Sequence, residues 1–251
     1  MNMAVARSYN AMHIGGWSEN FITTSVLESL DTRGEEIVWD DLQQRIVWEG
    51  YKLTGTAETE YGDIAVLVRV WLTSDVFVDG VAFYEAKRQY FNADGSIKGF
   101  LSVKSEQLAR LREVTHASNV IFYDVDQGKS QVHIGCVPNI FVDELMRQKL
   151  VKEAGRIIHR YGKPFVYSLG ENLRGFSVDF SQKVVEDVKG FANSTDAPLV
   201  IINAAVGKMN LEPKLSEHCS LLKNYEKVWG ASPAVAEDPA PPPGGNEPSP
   251  F

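Results

Sequence analysis

The spacing of apolar positions changes several times along this chain, and each change marks an element. Glu19, Ile22, Val26 and Leu30 recur at helical spacing, which predicts a helix over Trp17–Leu30 with one apolar face and an acid at its start. Three segments rich in β-branched and aromatic residues follow, Arg45–Thr54, Asp63–Leu72 and Val81–Gln89. They predict three strands in an antiparallel meander. Leu101, Leu108 and Leu111 return to helical spacing over 101–115. Val120–Asp126 and Val132–Val137 predict two strands joined as a hairpin. After Pro138 the pattern is helical through Arg160, with Leu150, Ala154, Ile157 and Ile158 facing inward. Pro164–Leu169 and Pro198–Val206 predict short strands, with a helix over Ser181–Phe191 between them and a last helix over Leu215–Val228. Such an order predicts an α/β fold, a mixed β-sheet with helices packed against it.

Composition narrows the class. At 251 residues with 44% hydrophobic and 23% charged residues, the chain has enough apolar surface for a sizeable core. Seven of the eleven prolines lie between Pro233 and Pro250, so 231–251 is expected to be a disordered tail and 1–230 the folded domain. No apolar run is long enough to cross a bilayer and no secretion signal opens the chain, which gives the expectation of a cytoplasmic protein without a membrane partner. Cys136 and Cys219 have no Cys or His neighbour at metal-ligand spacing, and reduced, partly buried thiols are expected. The net charge of −8 is uneven: residues 1–80 carry thirteen acids against five basic residues, whereas 81–230 is net +3. A polyanionic partner is therefore compatible with this chain if its footprint is local.

The chemistry concentrates in two of the predicted strands. Side chains alternate along Val81-Ala-Phe-Tyr-Glu-Ala-Lys-Arg-Gln89, so Glu85 and Lys87 share one face while Tyr84 and Ala86 take the other. A charged pair in so apolar a strand needs a partner or a metal to offset its desolvation. Asp63, opening the preceding strand, is placed to add a second carboxylate. Two carboxylates and a backbone carbonyl form a hard-oxygen site suited to Mg²⁺, and a lysine beside them suits stabilisation of a phosphoryl transition state or orientation of water.

This arrangement resembles the PD-(D/E)xK nuclease superfamily, with its restriction-endonuclease-like fold. The resemblance spans residues 17–135 and implies a core of helix, three strands, helix and strand, with additional C-terminal α/β elements over 140–230. It implies that Asp63 and Glu85, with the backbone carbonyl of Ala86, ligate Mg²⁺ (or Mn²⁺), and that Lys87 organises the attacking water. Gly62 stands where the nominal motif has proline. Glu19 matches the acid that members often carry on the first core helix, directed at the metal. Gln107 matches a glutamine that some members place on the helix after the motif. The implied activity is hydrolysis of nucleic acid, DNA first, leaving a 5′-phosphate and a 3′-hydroxyl, in restriction, antiviral defence or repair.

Two groups of basic residues are candidates for phosphate contact. Lys98, Lys104, Arg110 and Arg112 lie beside the motif in sequence; Lys149, Lys152, Arg156 and Arg160 recur at helical spacing and predict a basic stripe on one helix face. Other motifs fail. Gly128-Lys129-Ser130 lacks the first glycine of a phosphate-binding loop, the five histidines show no ligand pairing, and Asp187-Val188-Lys189, a second acid-x-Lys triplet, falls in a helical pattern. Two rival readings stay open: a non-catalytic protein that keeps the fold and binds nucleic acid or a partner, and a protein in which Asp63, Glu85 and Lys87 form only a structural ion network. Residues 140–230 suit an oligomer interface, a recognition surface or an activator pocket alike.

Overall fold

The computed structural model describes residues 1–31, 36–54, 62–126, 131–149, 158–190, 197–217 and 223–230. Most predicted strands and helices are present: α2 (Glu19–Asp31), β2 (Gln44–Leu53), β3 (Ile64–Trp71), β4 (Phe77–Arg88), α3 (Ser105–Val114), β7 (Ser118–Asp126), β8 (Gln131–Pro138), α6 (Gln182–Gly190) and β10 (Val200–Lys208). The pattern did not predict α1 (Asn2–Asn10), β1 (Glu36–Trp39) or the small β5 (Tyr90–Phe91) and β6 (Ile97–Gly99). Completing the chain are α4 (Asn139–Arg147), β9 (Lys163–Pro164), α5 (Phe165–Leu173) and β11 (Tyr225–Gly230).

Among the described residues, nine strands form one mixed sheet in the order β1-β2-β10-β3-β4-β7-β8-β9, with β11 also pairing to β2. The meander expected of β2, β3 and β4 is not what forms. β10 lies between β2 and β3, antiparallel to the first and parallel to the second. Burial explains the insertion. Ile64, Val66 and Val68 enter one apolar cluster and Ala65 and Leu67 the other, and β10 divides the same way, so both strands are central ones covered on both faces. Residues 140–230 are thus not an addition to a finished core, because β10 completes the sheet that carries Asp63.

One face of the sheet is covered by α1, α2 and α5, the other by α3, α4 and α6, giving three layers. Local readings fail where period was ambiguous. Pro164–Leu169, expected as a strand, is mostly the start of α5, whose buried Phe165, Ser168, Leu169, Asn172 and Leu173 follow helical spacing. Where the final helix was expected, Tyr225–Gly230 is a strand on β2, with Trp229 packed over Gly50: a Cβ on that glycine would lie 2.4 Å from the indole. Leu101 lies outside α3 and is exposed, while Leu108 and Leu111 are buried as expected. The β7–β8 hairpin pairs Asp126 with Gln131. Cys136 is a free, buried thiol whose pKa burial pushes up to about 12; Cys219 and the Pro-rich 231–251 lie outside the described residues. Among the described residues, no helix is long and apolar enough to cross a membrane.

Candidate metal centre

Because β4 runs antiparallel to β3 and parallel to β7, the start of β3, the end of β4 and the end of β7 lie at one end of the sheet. Asp63 sits there just before β3. Its N–H donates to the Tyr84 carbonyl (2.8 Å), and its own carbonyl accepts from Val200 of β10 (3.0 Å), so two neighbouring strands fix it. Its Oδ2 accepts the Ala86 N–H at 2.6 Å, tying the carboxylate to the middle of the Glu85-Ala86-Lys87 triplet. The chain enters this position through Gly62 at φ 79°, where a Cβ would stand 2.8 Å from the Tyr84 carbonyl oxygen. A proline, locked near φ −65°, does not fit that conformation.

Alternation along β4 places the side chains as predicted. Tyr84 and Ala86 enter the apolar cluster beneath α2 and α5, whereas Glu85 and Lys87 are directed to the opposite face and meet Gln107 of α3. Glu85 is 2% exposed and Lys87 4%. Lys87 Nζ donates to Glu85 Oε1 and to Gln107 Oε1 (3.1 Å), and Gln107 Nε2 donates back to Glu85 Oε1 (2.8 Å). Both contacts to Glu85 use one carboxylate oxygen. Among the described residues, Glu85 Oε2 is buried without a hydrogen-bond partner, a costly state for a charged acceptor. Glu19, in the first turn of α2, approaches from the other side: its Oε1 accepts from Ser102 Oγ (2.6 Å) and from the Arg88 N–H (3.2 Å).

The charges at this site are unbalanced. Burial, then Glu85, push the Asp63 carboxyl well above its ordinary value against the pull of the Ala86 N–H and Lys87. Glu85 is also raised, by burial first, with Lys87 opposing and Glu19 adding to the rise. Burial alone would lower the Lys87 ammonium, but Glu85, Glu19 and Asp63 outweigh it and hold its pKa above the ordinary lysine value. The site has an excess of negative charge that one lysine does not neutralise. Among the described residues, no three His, Cys, Asp or Glu side chains are grouped to enclose a metal ion by themselves. An ion here would draw on Asp63, Glu85, the Ala86 carbonyl and water, and the orphaned Glu85 Oε2 and the raised carboxyls fit that demand.

Ser102, which fixes Glu19, carries no motif signal, since only the folding back of the chain between β4 and α3 brings it to the helix. The same holds for Trp17, whose indole N–H donates to the Gln89 carbonyl (2.7 Å), and for the buried Gln89–Asp124 contact at the ends of β4 and β7. Arg88, placed by alternation on the face opposite Lys87, stacks 4.0 Å over Tyr90.

The basic candidates divide. Lys98 and Lys104 are exposed on the segment between β4 and α3, and Arg110 is exposed on α3. Arg112 instead pairs with Asp143 of α4 (2.6 Å), holding two helices together. Of the expected stripe of Lys149, Lys152, Arg156 and Arg160, Lys149 lies past the end of α4 at Arg147 and takes φ 56°. A left-handed residue there turns the chain off the helix axis. Lys152 and Arg156 lie outside the described residues, and Arg160 falls in a separate short 3-10 turn, Ile158–Tyr161. The triplet Asp187-Val188-Lys189 lies on α6, with Lys189 paired to Asp79 and Glu186 (both 3.3 Å), which is a structural use. Gly128-Lys129-Ser130 lies outside the described residues. Compared with protein-family models, curated proteins and solved structures, the chain matches none of them.

Proposed function

We propose that this chain is a divalent-metal-dependent nuclease of the restriction-endonuclease-like type, hydrolysing phosphodiester bonds in DNA. One observation carries the reading: Asp63, Glu85 and Lys87, with Glu19 from α2 and Gln107 from the helix after the motif, meet at one end of the sheet and leave a buried carboxylate oxygen unpartnered among the described residues. Long-range pairing of this kind needs five residues from four segments to agree, a stronger coincidence than an acid-x-Lys triplet in sequence.

In this reading Asp63, Glu85 and the Ala86 carbonyl would hold Mg²⁺ or Mn²⁺, with Glu19 adding a further carboxylate to the site. A bound divalent ion supplies Lewis-acid polarisation of a phosphoryl oxygen and lowers the pKa of water. The protein does the positioning. Lys87 keeps its proton, held there by the surrounding acids, and so works as a fixed cation beside the developing negative charge on phosphorus. Gln107 holds Lys87 and Glu85 in one geometry through its two amide contacts. Water oxygen forms the new bond to phosphorus, the bond from phosphorus to the 3′-oxygen breaks, and that oxygen leaves as a hydroxyl after taking a proton. The test is cleavage of plasmid and linear DNA with Mg²⁺ or Mn²⁺ by the parent, Asp63→Ala and Lys87→Ala. Loss of cleavage in both variants is expected, and equal cleavage by all three proteins would remove the assignment.

A further inference from the structure

Between the catalytic strand and α3 the chain forms an arm that the main sheet does not use. Among the described residues, β5 and β6 pair only with each other, three residues past Lys87, and the segment then returns through Ser102 to α3 and Gln107. The base of the arm is fixed. Phe91 packs against Tyr9 (5.3 Å between ring centroids) and Trp17 (6.2 Å), and Tyr90 lies under the Arg88 guanidinium. Its tip is folded on its own hydrogen bonds: Asn92 N–H to the Ser96 carbonyl (2.8 Å), Asn92 Nδ2 to Ser96 Oγ (2.9 Å) and Ser96 N–H to Asp94 Oδ1 (2.9 Å). From Asn92 to Lys98 every residue except Gly95 is exposed. The arm and its return, residues 90–104, carry Lys98 and Lys104 against Asp94 alone, net +1 in a chain of net −8.

Resting on the nuclease reading, we infer that this arm engages duplex DNA beside the bond to be cut and makes double-stranded DNA the substrate class. A two-stranded ribbon, with strands about 4.8 Å apart, fits a major groove about 12 Å wide, and a tip already folded loses little entropy on entry. Charge is complementary where the arm leaves the site, with Lys98 and Lys104 free to solvent for phosphate contact. Single-strand binders instead offer exposed aromatic faces to unstacked bases. Here Tyr90 and Phe91, the aromatics of the ribbon, are spent at its base on Arg88, Tyr9 and Trp17, and the exposed tip presents amide and hydroxyl groups with one carboxylate, Asp94, that is held by Ser96.

The experiment compares the parent, a variant with Asn92–Ser96 replaced by two glycines, and Lys98→Glu, on a labelled duplex and on its separated strand with Mg²⁺ and Mn²⁺. Duplex binding by anisotropy in Ca²⁺ is measured alongside. The ratio of duplex to single-strand cleavage falls about tenfold or more in the tip variant, and Lys98→Glu weakens duplex binding with a salt slope shallower by about one or more. Lys98→Glu also keeps the question open to refutation if the shortened tip fails to fold. An unchanged ratio and unchanged duplex binding in an active enzyme would overturn the role of the arm and leave the nuclease reading standing. A parent that binds duplex through the arm yet cuts neither substrate would overturn the nuclease reading alone.

Discussion

The sharpest discriminator between a metal centre and a structural ion network is the sign of the stability change when one acid is neutralised without metal. Asp63→Asn is the informative substitution. The asparagine carbonyl can still accept the Ala86 N–H that Asp63 now accepts at 2.6 Å, so the fold keeps that bond and loses only the charge. Burial and the Glu85 charge hold the Asp63 pKa well above 3.8 in the folded protein. An acid raised on folding binds more protons folded than unfolded, so the parent loses stability as pH rises from the ordinary carboxylate value through the raised one. Each unit of such a shift is worth about 1.4 kcal/mol, and each kcal/mol moves the melting temperature of a chain this size by about 2–4 °C. Asp63→Asn is therefore expected to melt several degrees above the parent at pH 7 in EDTA, with the difference shrinking to nothing as the pH falls below the ordinary carboxylate range. Mg²⁺ or Mn²⁺ reverses the order: it raises the melting temperature of the parent, by about 2.7 kcal/mol of stability at a hundred times its dissociation constant, and leaves the variant nearly unmoved. The assay is a thermal melt at pH 4 to 8 with and without metal. A variant that melts below the parent at pH 7 in EDTA would show that Asp63 serves an ion network, and the reasoning from carboxylate excess would be refuted.

Other substitutions have equally definite outcomes. Lys87→Met leaves Glu85, 2% exposed, without its cation, and is expected to cost about 3–5 kcal/mol in a metal-free denaturant melt. A change below 1 kcal/mol would mean that the pair is not buried in solution. Gly62→Ala forces a Cβ to 2.8 Å from the Tyr84 carbonyl at a positive φ, so it is expected to lower stability by about 1–3 kcal/mol and to reduce DNA cleavage by moving Asp63; full activity with unchanged stability would contradict this placement. Tyr84→Phe removes the hydroxyl that donates to the buried Asn172 side-chain carbonyl, with an expected loss of about 1–3 kcal/mol by chemical denaturation. Gly50→Ala collides with Trp229 and is expected to release β11 from β2, read as a red shift in tryptophan emission.

How much of this was legible in the sequence can be traced residue by residue. Glu85 and Lys87 were readable because a strand alternates by geometry alone, and Ile22 and Val26 because a helix repeats by geometry alone. Asp63 was readable as the acid opening a strand next to them. Segment 164–173 was misread because Phe165-Val-Tyr-Ser-Leu169 is apolar enough for either period, and only its packing against the sheet selects the helical one. The basic stripe after Arg147 assumes a continuous helix, from which the left-handed Lys149 departs, while Lys152 and Arg156 lie outside the described residues.

The chain by itself determined which residues lie on which face of each strand and helix, since local stereochemistry settles that before any tertiary contact forms. Strand order was decided elsewhere. Nothing local tells β10, more than a hundred residues downstream, to enter between β2 and β3; two central strands with apolar side chains on both faces need neighbours that bury both, and β10 is the strand that supplies them. The same long-range closure brings Ser102 to Glu19, Gln107 to Lys87 and Val200 to the carbonyl of Asp63. Burial then sets the charge balance of the site, because desolvation depends on what surrounds a carboxylate and not on its sequence neighbours.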